Sequence, residues 1–177
     1  VYAVTKREAE TAVRTSSEDG FLRCLILRPG LVYGRGESGL FHRMIGALAK
    51  WPIIPLLGGG HQPVQPVHVD DLARLVADWI EGRLETFDGQ MRGVDELNLG
   101  APQPITLKRF LKMAKTSMGK RRFFLPVPIG PVLGLSRAAG RLGISLPFSP
   151  SNLKGLRTVR PVPVPPVIAK RLRPIQD

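Results

Sequence analysis

The sequence is poor in cysteine, histidine and aromatic residues. Its 177 residues include one cysteine and three histidines, and aromatic residues account for 6% of the chain. A single cysteine excludes an intrachain disulfide framework, and Cys24 lies in an apolar run, where a small buried side chain is its usual role. His42, His61 and His68 are too scattered along the chain to indicate a metal site. We therefore predict no metal and no disulfide.

Long apolar segments and targeting signals are also absent from the sequence. No run of about 18 uncharged apolar residues indicates a membrane span, and the first residues lack the charged flank and apolar core of a signal peptide. The sequence therefore predicts a cytoplasmic protein, either soluble or peripherally attached to a membrane. Because the chain begins with Val1 instead of methionine, we expect it to be the carboxy-terminal part of a longer protein.

Acidic residues are scarce in the last third of the chain. Residues 120–177 contain 11 Lys/Arg but one acid, Asp177, so they carry +10 of the overall net charge of +12. Such positive charge attracts phosphates, anionic lipid head groups and acidic proteins. It is not interleaved with aromatic side chains that would stack on bases, so we predict no nucleic-acid partner.

Proline is concentrated in the same part of the chain. Ten of the 17 prolines lie at or after Pro126, which indicates that residues 121–177 form a basic, Pro-rich C-terminal cap or tail. One further helix is predicted within it, over residues 131–144. Two roles for this region are left open. It could cap the substrate cleft, or it could dock on an anionic membrane face or a larger complex.

The remaining sequence alternates helical and extended patterns, as α/β proteins do. Amphipathic spacing predicts helices over residues 2–17, 40–50, 71–82 and 106–119, with Asp70 and Thr106 as the caps of the last two. The apolar run Phe21–Leu27 predicts a strand buried on both faces, as in a parallel sheet covered by helices. Residues 95–99 predict a shorter strand, and residues 31–36 predict a loop.

Tyr2 and Lys6 are four residues apart near the start of the first predicted helix. Residues i and i+4 share a helix face, so the phenol and the ammonium would lie side by side. A neighbouring cation lowers the pKa of a phenol toward the range in which proton transfer at neutral pH is useful. The spacing therefore indicates an acid–base pair, although chance alone produces one such match in every few chains.

Two further motifs follow the Tyr/Lys pair in a fixed order. The segment Leu27–Gly34 (LRPGLVYG) ends the apolar strand, and the segment Pro66–Ala73 (PVHVDDLA) opens a helix. Together the three motifs resemble the extended short-chain dehydrogenase/reductase family, which includes the NAD-dependent epimerases and dehydratases, and the similarity covers about residues 1–120. The sequence of the third motif is most similar to that of members like the NAD(P)H-binding accessory subunit of respiratory complex I.

The resemblance implies the C-terminal part of a Rossmann-type doubly wound parallel sheet plus a smaller, mostly helical substrate-binding region. Residues 1–35 would end the dinucleotide-binding domain. Residues 36–120 would form the substrate-binding region, with elements that return to the Rossmann sheet, and residues 121–177 would form the cap or tail. In the family a Gly-rich nucleotide-binding half precedes these elements, so we expect this fragment alone to be inactive and to bind dinucleotide poorly.

The family's functional residues transfer to four positions of this sequence. By resemblance, Tyr2 would be the general acid/base, and Lys6 would lower its pKa and hydrogen-bond the nicotinamide ribose of NAD or NADP. Pro29 and Gly30 would border the nicotinamide ring. Thr5 occupies a position where serine is commoner in the family, which is a mild departure.

The resemblance also bears on the substrate, which we expect to be a small molecule. Arg35, Arg43 and His61 flank the segments that line the family's substrate cleft and are candidate substrate contacts. Nucleotide-sugar epimerases commonly have an arginine at the position of Val64, where it grips a diphosphate, and an asparagine at the position of Leu31. Both departures argue against a nucleotide-sugar substrate.

Two functions are left open by the sequence. The first is an NAD(P)-dependent oxidoreductase or epimerase, in which Tyr2 and Lys6 support hydride and proton transfer at a carbonyl or alcohol carbon. The second is a non-catalytic NAD(P)H-binding accessory subunit or assembly factor of a larger, respiratory-type complex, in which the nucleotide stabilises the fold.

Overall fold

The computed structural model describes residues 2–18, 22–35, 40–84, 93–132 and 160–174. The helices of these residues are α1 (Tyr2–Ser17), α2 (Leu40–Lys50), α3 (Val69–Ile80), α4 (Leu107–Ser117) and a short helix at Pro166–Ala169. The strands are β1 (Arg23–Pro29), β2 (Leu31–Tyr33), β3 (Ile53–Leu57), β4 (Pro63–Val64), β5 (Pro66–His68), β6 (Gly93–Leu99), β7 (Ile105–Thr106) and β8 (Phe123–Val127). The predicted α/β class with parallel strands is confirmed. Most of the helix predicted over residues 131–144 lies outside the described residues.

The chain divides into two compact units. Unit 1 comprises Val1–Gly34, Val67–Pro102 and Pro163–Pro174, and unit 2 comprises Arg35–Pro66, Gln103–Val162 and Ile175–Asp177. The predicted domain boundaries at residues 35 and 120 stay predictions. Residues 121–177, which the sequence presented as one cap or tail, are shared between the two units.

Unit 1 is built on a parallel pair of strands. β1 and β6 pair in register from Arg23 opposite Gly93 to Pro29 opposite Leu99, and α1 packs against both strands. The prediction that this first strand is buried on both faces is wrong, because only Ile26 is buried and its neighbours are half-buried or exposed. Among the described residues β6 is the one strand that pairs with β1.

Two short segments of unit 1 also differ from expectation. Residues 31–33 form strand β2, paired with β5, where a loop was predicted. Helix α3 begins at Val69, and its N-cap is His68, whose ring Nδ1 accepts a hydrogen bond from the Asp70 amide at 3.1 Å. The sequence had assigned the cap to Asp70. A histidine in its neutral form can accept at one ring nitrogen, so it satisfies an amide of the first turn as an aspartate would.

The hydrophobic core of unit 1 joins three distant parts of the sequence. Its buried side chains come from α3 and the residues after it, from β6 and from the short C-terminal helix, namely Leu75, Leu84, Leu97, Leu99 and Ile168. Ile168 is 1% exposed, although it follows a proline-rich segment that sequence reasoning placed on the surface. The end of the chain is therefore a structural part of unit 1.

Three ion pairs hold the same C-terminal segment against α3, between Arg173 and both Asp70 and Asp71 and between Arg171 and Asp78. The Asp71 side chain is 2% exposed. Its Oδ2 accepts a hydrogen bond from the Arg173 backbone amide at 3.0 Å, and its Oδ1 lies 3.0 Å from the Arg173 Nε. Farther along the helix, Arg171 Nη1 lies 2.9 Å from an Asp78 carboxylate oxygen. A buried carboxylate is tolerated only when its oxygens are paired, and here the paired partners come from about 100 residues later in the chain. Asp71 therefore has a structural role, and its partner Arg173 could not be predicted from spacing in the sequence.

Helix α1 is attached to the sheet of unit 1 by a network of four charges. Arg28 of β1 lies 2.7 Å from Glu10 of α1 and 2.9 Å from Glu96 of β6. Arg14 lies 2.6 Å from the same Glu96 and 3.5 Å from Glu10. Hydrogen bonding by Arg28 lowers the pKa of the Glu10 carboxyl, and hydrogen bonding by Arg14 does the same to the pKa of Glu96. We call these four residues the α1 network.

Unit 2 combines helices α2 and α4 with two pairs of short strands. β3 and β8 pair in parallel from Ile53 opposite Phe123 to Leu57 opposite Val127, and β4 pairs with β7 in the antiparallel sense. The core consists of apolar side chains from both helices and from β3, with Leu48, Ile54, Leu56 and Leu111 buried. The predicted cap at Thr106 is confirmed, because its hydroxyl accepts the Arg109 amide at 3.1 Å. Strand β8 was not anticipated from its sequence.

We expect Ile168→Ala to lower the free energy of unfolding by about 2–5 kcal/mol, because it removes a fully buried side chain and leaves a cavity. Val167→Ala, at a neighbouring position that is 43% exposed, should change it by less than about 0.5 kcal/mol. Urea unfolding followed by circular dichroism measures both. Equal losses in the two variants would show that the C-terminal helix is not part of the core.

The α1 network predicts a pH dependence of stability. A carboxylate whose pKa is lowered by folding stabilises the protein above its unfolded pKa of about 4.3, and that contribution is lost as the pH falls through the lower folded value. The difference in unfolding free energy between the native protein and Glu10→Gln should therefore be constant from pH 5 to 8 and shrink below about pH 4.3. Glu8→Gln, an exposed position on the same helix, is the control. A Glu10 effect that persists undiminished at pH 2 would contradict this assignment.

Candidate functional site

The carboxyl edge of the β1–β6 pair carries the residues predicted to border the nicotinamide ring. Pro29, the last residue of β1, pairs with Leu99, the last residue of β6. The Gly30 amide donates to the Leu99 carbonyl at 2.7 Å, which fixes the point where the backbone leaves the sheet. Pro29 and Gly30 are both exposed. Because ligands of parallel α/β sheets bind outside the carboxyl ends of the strands, this edge is the candidate site.

The predicted acid–base pair lies on the helix that packs against these strands. Tyr2 and Lys6 are both in α1, one turn apart, and Lys6 is exposed. The α1 network shows that the helix runs antiparallel to β1, since Arg14 reaches Glu96 in the middle of the pair whereas Glu10 reaches Arg28 near its end. Tyr2 precedes Glu10 by eight residues, which is about 12 Å of helix. The first turn of α1 therefore extends past Arg28 in the direction of the carboxyl edge.

Three further residues of unit 1, Tyr33, Gly34 and His68, lie close together and were not among the predicted site residues. Tyr33 and His68 meet edge to face, with ring centroids 5.1 Å apart. Gly34 has a φ of +129°, and a Cβ there would lie 2.7 Å from Val69 Cγ1 and 3.2 Å from His68 Nε2. A side chain at position 34 is therefore excluded by both backbone conformation and space. Burial, with a smaller effect of the Asp71 charge, raises the pKa of Tyr33, so this phenol stays protonated at neutral pH.

His68 has a defined proton arrangement in its neutral form. Its Nδ1 accepts the Asp70 amide, so the ring proton is carried by Nε2, the atom that faces Gly34. The sequence considered His68 only as a metal ligand. Its position immediately before a helix that opens with two aspartates could have indicated a cap. Among the described residues no group of three His, Cys, Asp or Glu side chains could hold a metal ion.

The predicted substrate contacts belong to the other unit. Arg35, Arg43 and His61 are all in unit 2 and are exposed. Arg43 lies on α2, and His61 follows the tight turn at Gly58–Gly60, with its ring against Gly59. These three residues stay predictions.

Val64, the position compared above with a diphosphate-binding arginine, and its neighbour Gln65 both have structural roles in unit 2. Val64 is half-buried in β4, where it pairs with Ile105. Gln65 is 7% exposed, and its amide group makes two hydrogen bonds with the backbone of Val162, at 2.9 and 2.8 Å. A valine offers no hydrogen bond, and the Gln65 amide is engaged with the main chain. Neither residue replaces the arginine that grips a diphosphate in nucleotide-sugar epimerases.

Comparison with known sequences gives three matches. Residues 1–83 match the model of the NAD dependent epimerase/dehydratase family. The chain is 30% identical over 138 residues to the epimerase family protein SDR39U1 of Homo sapiens, covering 76% of this chain and 42% of that protein. It is 26% identical over 149 residues to the uncharacterized protein y4nG of Sinorhizobium fredii, covering 84% of this chain and 35% of that one. The chain thus spans less than half the length of these relatives.

A solved structure supports the same fold. The UDP-glucuronic acid 4-epimerase of Bacillus cereus, in complex with UDP-glucuronic acid and NAD, superimposes with a TM-score of 0.58 at 20% identity, over 88% of this chain and 50% of that one. This structural similarity concerns the fold alone. The sequence match covers residues 1–83, and these residues include all three motifs, on α1, after β1 and at the start of α3. Residues 1–83 accordingly resemble the NAD dependent epimerase/dehydratase family, whose model they match.

Proposed function

We propose that the protein containing this chain is an NAD(P)-dependent oxidoreductase or epimerase, with Tyr2 as its general acid/base and Lys6 as the partner of Tyr2. The observation that supports this most is the attachment of α1 to β1 and β6 by the α1 network. That attachment directs the first helical turn toward the edge where Pro29 and Gly30 are exposed. In this proposal residues 1–35 complete the dinucleotide-binding domain, and residues 36–120 include the substrate-binding region.

The bound nicotinamide would supply or accept the hydride at the substrate carbon. Tyr2 would give its hydroxyl proton to the substrate oxygen during reduction and take it back during oxidation, so that charge balances with the hydride. The Lys6 ammonium would stabilise the phenolate form of Tyr2 and hydrogen-bond the ribose. Pro29 and Gly30 suit a position beside a planar ring, because neither carries a long side chain and both are exposed.

We infer that the substrate is a small molecule other than a nucleotide sugar. Val64 has no hydrogen-bonding side chain, and the Gln65 amide is bound to the Val162 backbone. A diphosphate would therefore lack its usual guanidinium partner at this place. Arg35, Arg43 and His61 are the proposed contacts for the substrate.

A second candidate is a non-catalytic NAD(P)H-binding subunit or assembly factor. The same two observations at Val64 and Gln65 favour it, since a subunit that retains the nucleotide without turnover has no need of a substrate grip. Leu31, in place of the usual asparagine, is a further departure of this kind. In that case NAD(P)H would raise the unfolding temperature of the full-length protein. A panel of aldehydes, ketones and alcohols would neither oxidise nor reduce the bound nucleotide.

Tyr2→Phe in the full-length protein should lower kcat by about 10²- to 10⁴-fold, because it removes the proton donor and acceptor. Binding of NAD(P) should stay within about twofold of the native value, since the ring and the helix are preserved. Steady-state kinetics and fluorescence titration of the cofactor measure the two quantities. Unchanged turnover in Tyr2→Phe would refute the catalytic assignment.

Lys6→Met should lower turnover and weaken cofactor binding together, and it should shift the ascending limb of the pH–rate profile to higher pH, because the phenol loses its neighbouring cation. Arg7→Met, which removes the next and equally exposed cation, is the matched control and should leave the profile in place. Identical profiles for the native protein and Lys6→Met would show that the lysine does not tune Tyr2.

A further inference from the structure

The positive charge of the chain is concentrated in one of its two units. Unit 2 contains 15 of the 26 Lys/Arg residues and two of the 14 acidic residues, a net charge of +13, whereas unit 1 is close to neutral. The described residues of unit 2 include no aspartate and no glutamate, so all of their charged side chains are cations. Arg171 and Arg173, which belong to the sequence's basic tail, are paired with Asp78 and Asp71 in unit 1.

Unit 2 also exposes an apolar sheet face. Along β3, Ile54 and Leu56 point into the core while Ile53 and Pro55 are exposed, and the paired residues of β8, Phe123 and Leu125, are exposed as well. Trp51 precedes β3 and is also exposed. The exposed fractions are large for apolar side chains, at 57% for Trp51, 53% for Ile53, 78% for Phe123 and 51% for Leu125. We call Trp51, Ile53, Pro55, Phe123 and Leu125 the outer face. Single exposed apolar residues are ordinary, but a contiguous group with two aromatics marks an interaction site.

Cations border the outer face at one edge. Because β3 and β8 are parallel, the residues that precede them lie at the same end of the pair. Lys50 precedes Trp51, and Lys120 and Arg121 come shortly before Phe123; all three are exposed. We call these three residues the cationic edge.

Arg122 holds the two sides of this edge together. Its Nε donates to the Leu48 carbonyl at 2.6 Å and its Nη2 donates to the Ala49 carbonyl at 2.8 Å. These contacts join the start of β8 to the end of α2, immediately before Lys50. They also satisfy carbonyls that the end of a helix leaves unpaired. Arg122 is thus a structural cation, and the charges beside it are free to serve a partner.

We propose that the outer face and the cationic edge of unit 2 dock on an anionic lipid bilayer. Tryptophan and phenylalanine favour the boundary between lipid head groups and acyl chains, and lysine and arginine beside them favour acidic head groups. The absence of acids from the described part of unit 2 removes the repulsion that such a surface would otherwise produce. No helix in the described part of the chain is long and apolar enough to cross a membrane, so the contact would be peripheral.

Vesicle flotation of the full-length protein tests the electrostatic half of the proposal. Vesicles of phosphatidylcholine with one-third phosphatidylglycerol should bind the protein, and pure phosphatidylcholine should bind it at least tenfold more weakly. Raising the salt from about 0.1 M to about 1 M shortens the Debye length from about 10 Å to about 3 Å and should release most of the protein. The double variant Lys120→Gln with Arg121→Gln should bind about 30-fold more weakly. Arg7→Gln with Lys170→Gln removes the same charge from exposed positions of unit 1 and should bind nearly as the native protein does.

The apolar half has its own variants and readout. Phe123→Ser should weaken binding to acidic vesicles by at least fivefold, whereas Ile80→Ser, at an equally exposed apolar position of unit 1, should not. Brominated acyl chains should quench a tryptophan signal that is missing from Trp51→Phe. Circular dichroism confirms that each variant is folded.

Several results would overturn the proposal. They are equal binding to neutral and acidic vesicles, no binding to either, or equal losses in the two double variants. A dimer that persists in vesicle-free solution and dissociates in Phe123→Ser would assign the outer face to a second copy of the chain. Capture of an acidic protein by the cationic edge, with no vesicle binding, would assign the surface to that partner.

Discussion

The parallel register of β1 and β6, with α1 tied across both strands, is the constraint on which unit 1 depends. Parallel strands cannot be joined by a tight turn, and here the chain between β1 and β6 includes α3. Helix α1 precedes β1 and packs against both strands. Here Arg28 and Glu96 sit on neighbouring strands and each contacts a residue of α1. Two cations and two carboxylates in alternation leave no charge unpaired. The same contacts decide where the first turn of α1 lies relative to Pro29 and Gly30, so packing and the candidate chemistry share one cause.

A second level of organisation is provided by the end of the chain. Ile168 fills the core beneath α3, and the Arg173 amide and guanidinium close on the buried Asp71. The first turn of α3 also contains the contact between His68 and Tyr33 and the close approach of Gly34. The segment that follows β1 is therefore supported from behind by residues that come more than 130 positions later.

Much of this architecture follows from short-range pattern. Helices α1, α2 and α4 were predicted from their spacing, and Thr106 was predicted as a cap from its position, because both signals are local in sequence. The role of Ile168 could not be predicted, since neighbouring prolines indicate exposure and only tertiary contact buries it. Strand β8 was missed for a similar reason, because its pairing with β3 joins residues about 70 positions apart. In the site, residue type and spacing suggested Tyr2 and Lys6, and the family resemblance suggested Pro29 and Gly30. The orientation of α1 could not be predicted, because it depends on ion pairs between distant segments. The basic cap or tail over residues 121–177 stays a prediction, but the pairing of Arg171 and Arg173 with aspartates of α3 could not be read from a sum of charges.

The three-part construction of unit 1 has a consequence for its synthesis. The core of unit 1 includes Ile168, so the earlier segments of the unit lack this side chain until the ribosome has reached that position. Contacts of such long sequence separation form slowly and leave apolar surface accessible in the meantime. Removing residues 163–174 would therefore expose the core side chains of α3 and β6 as well as the removed segment's own.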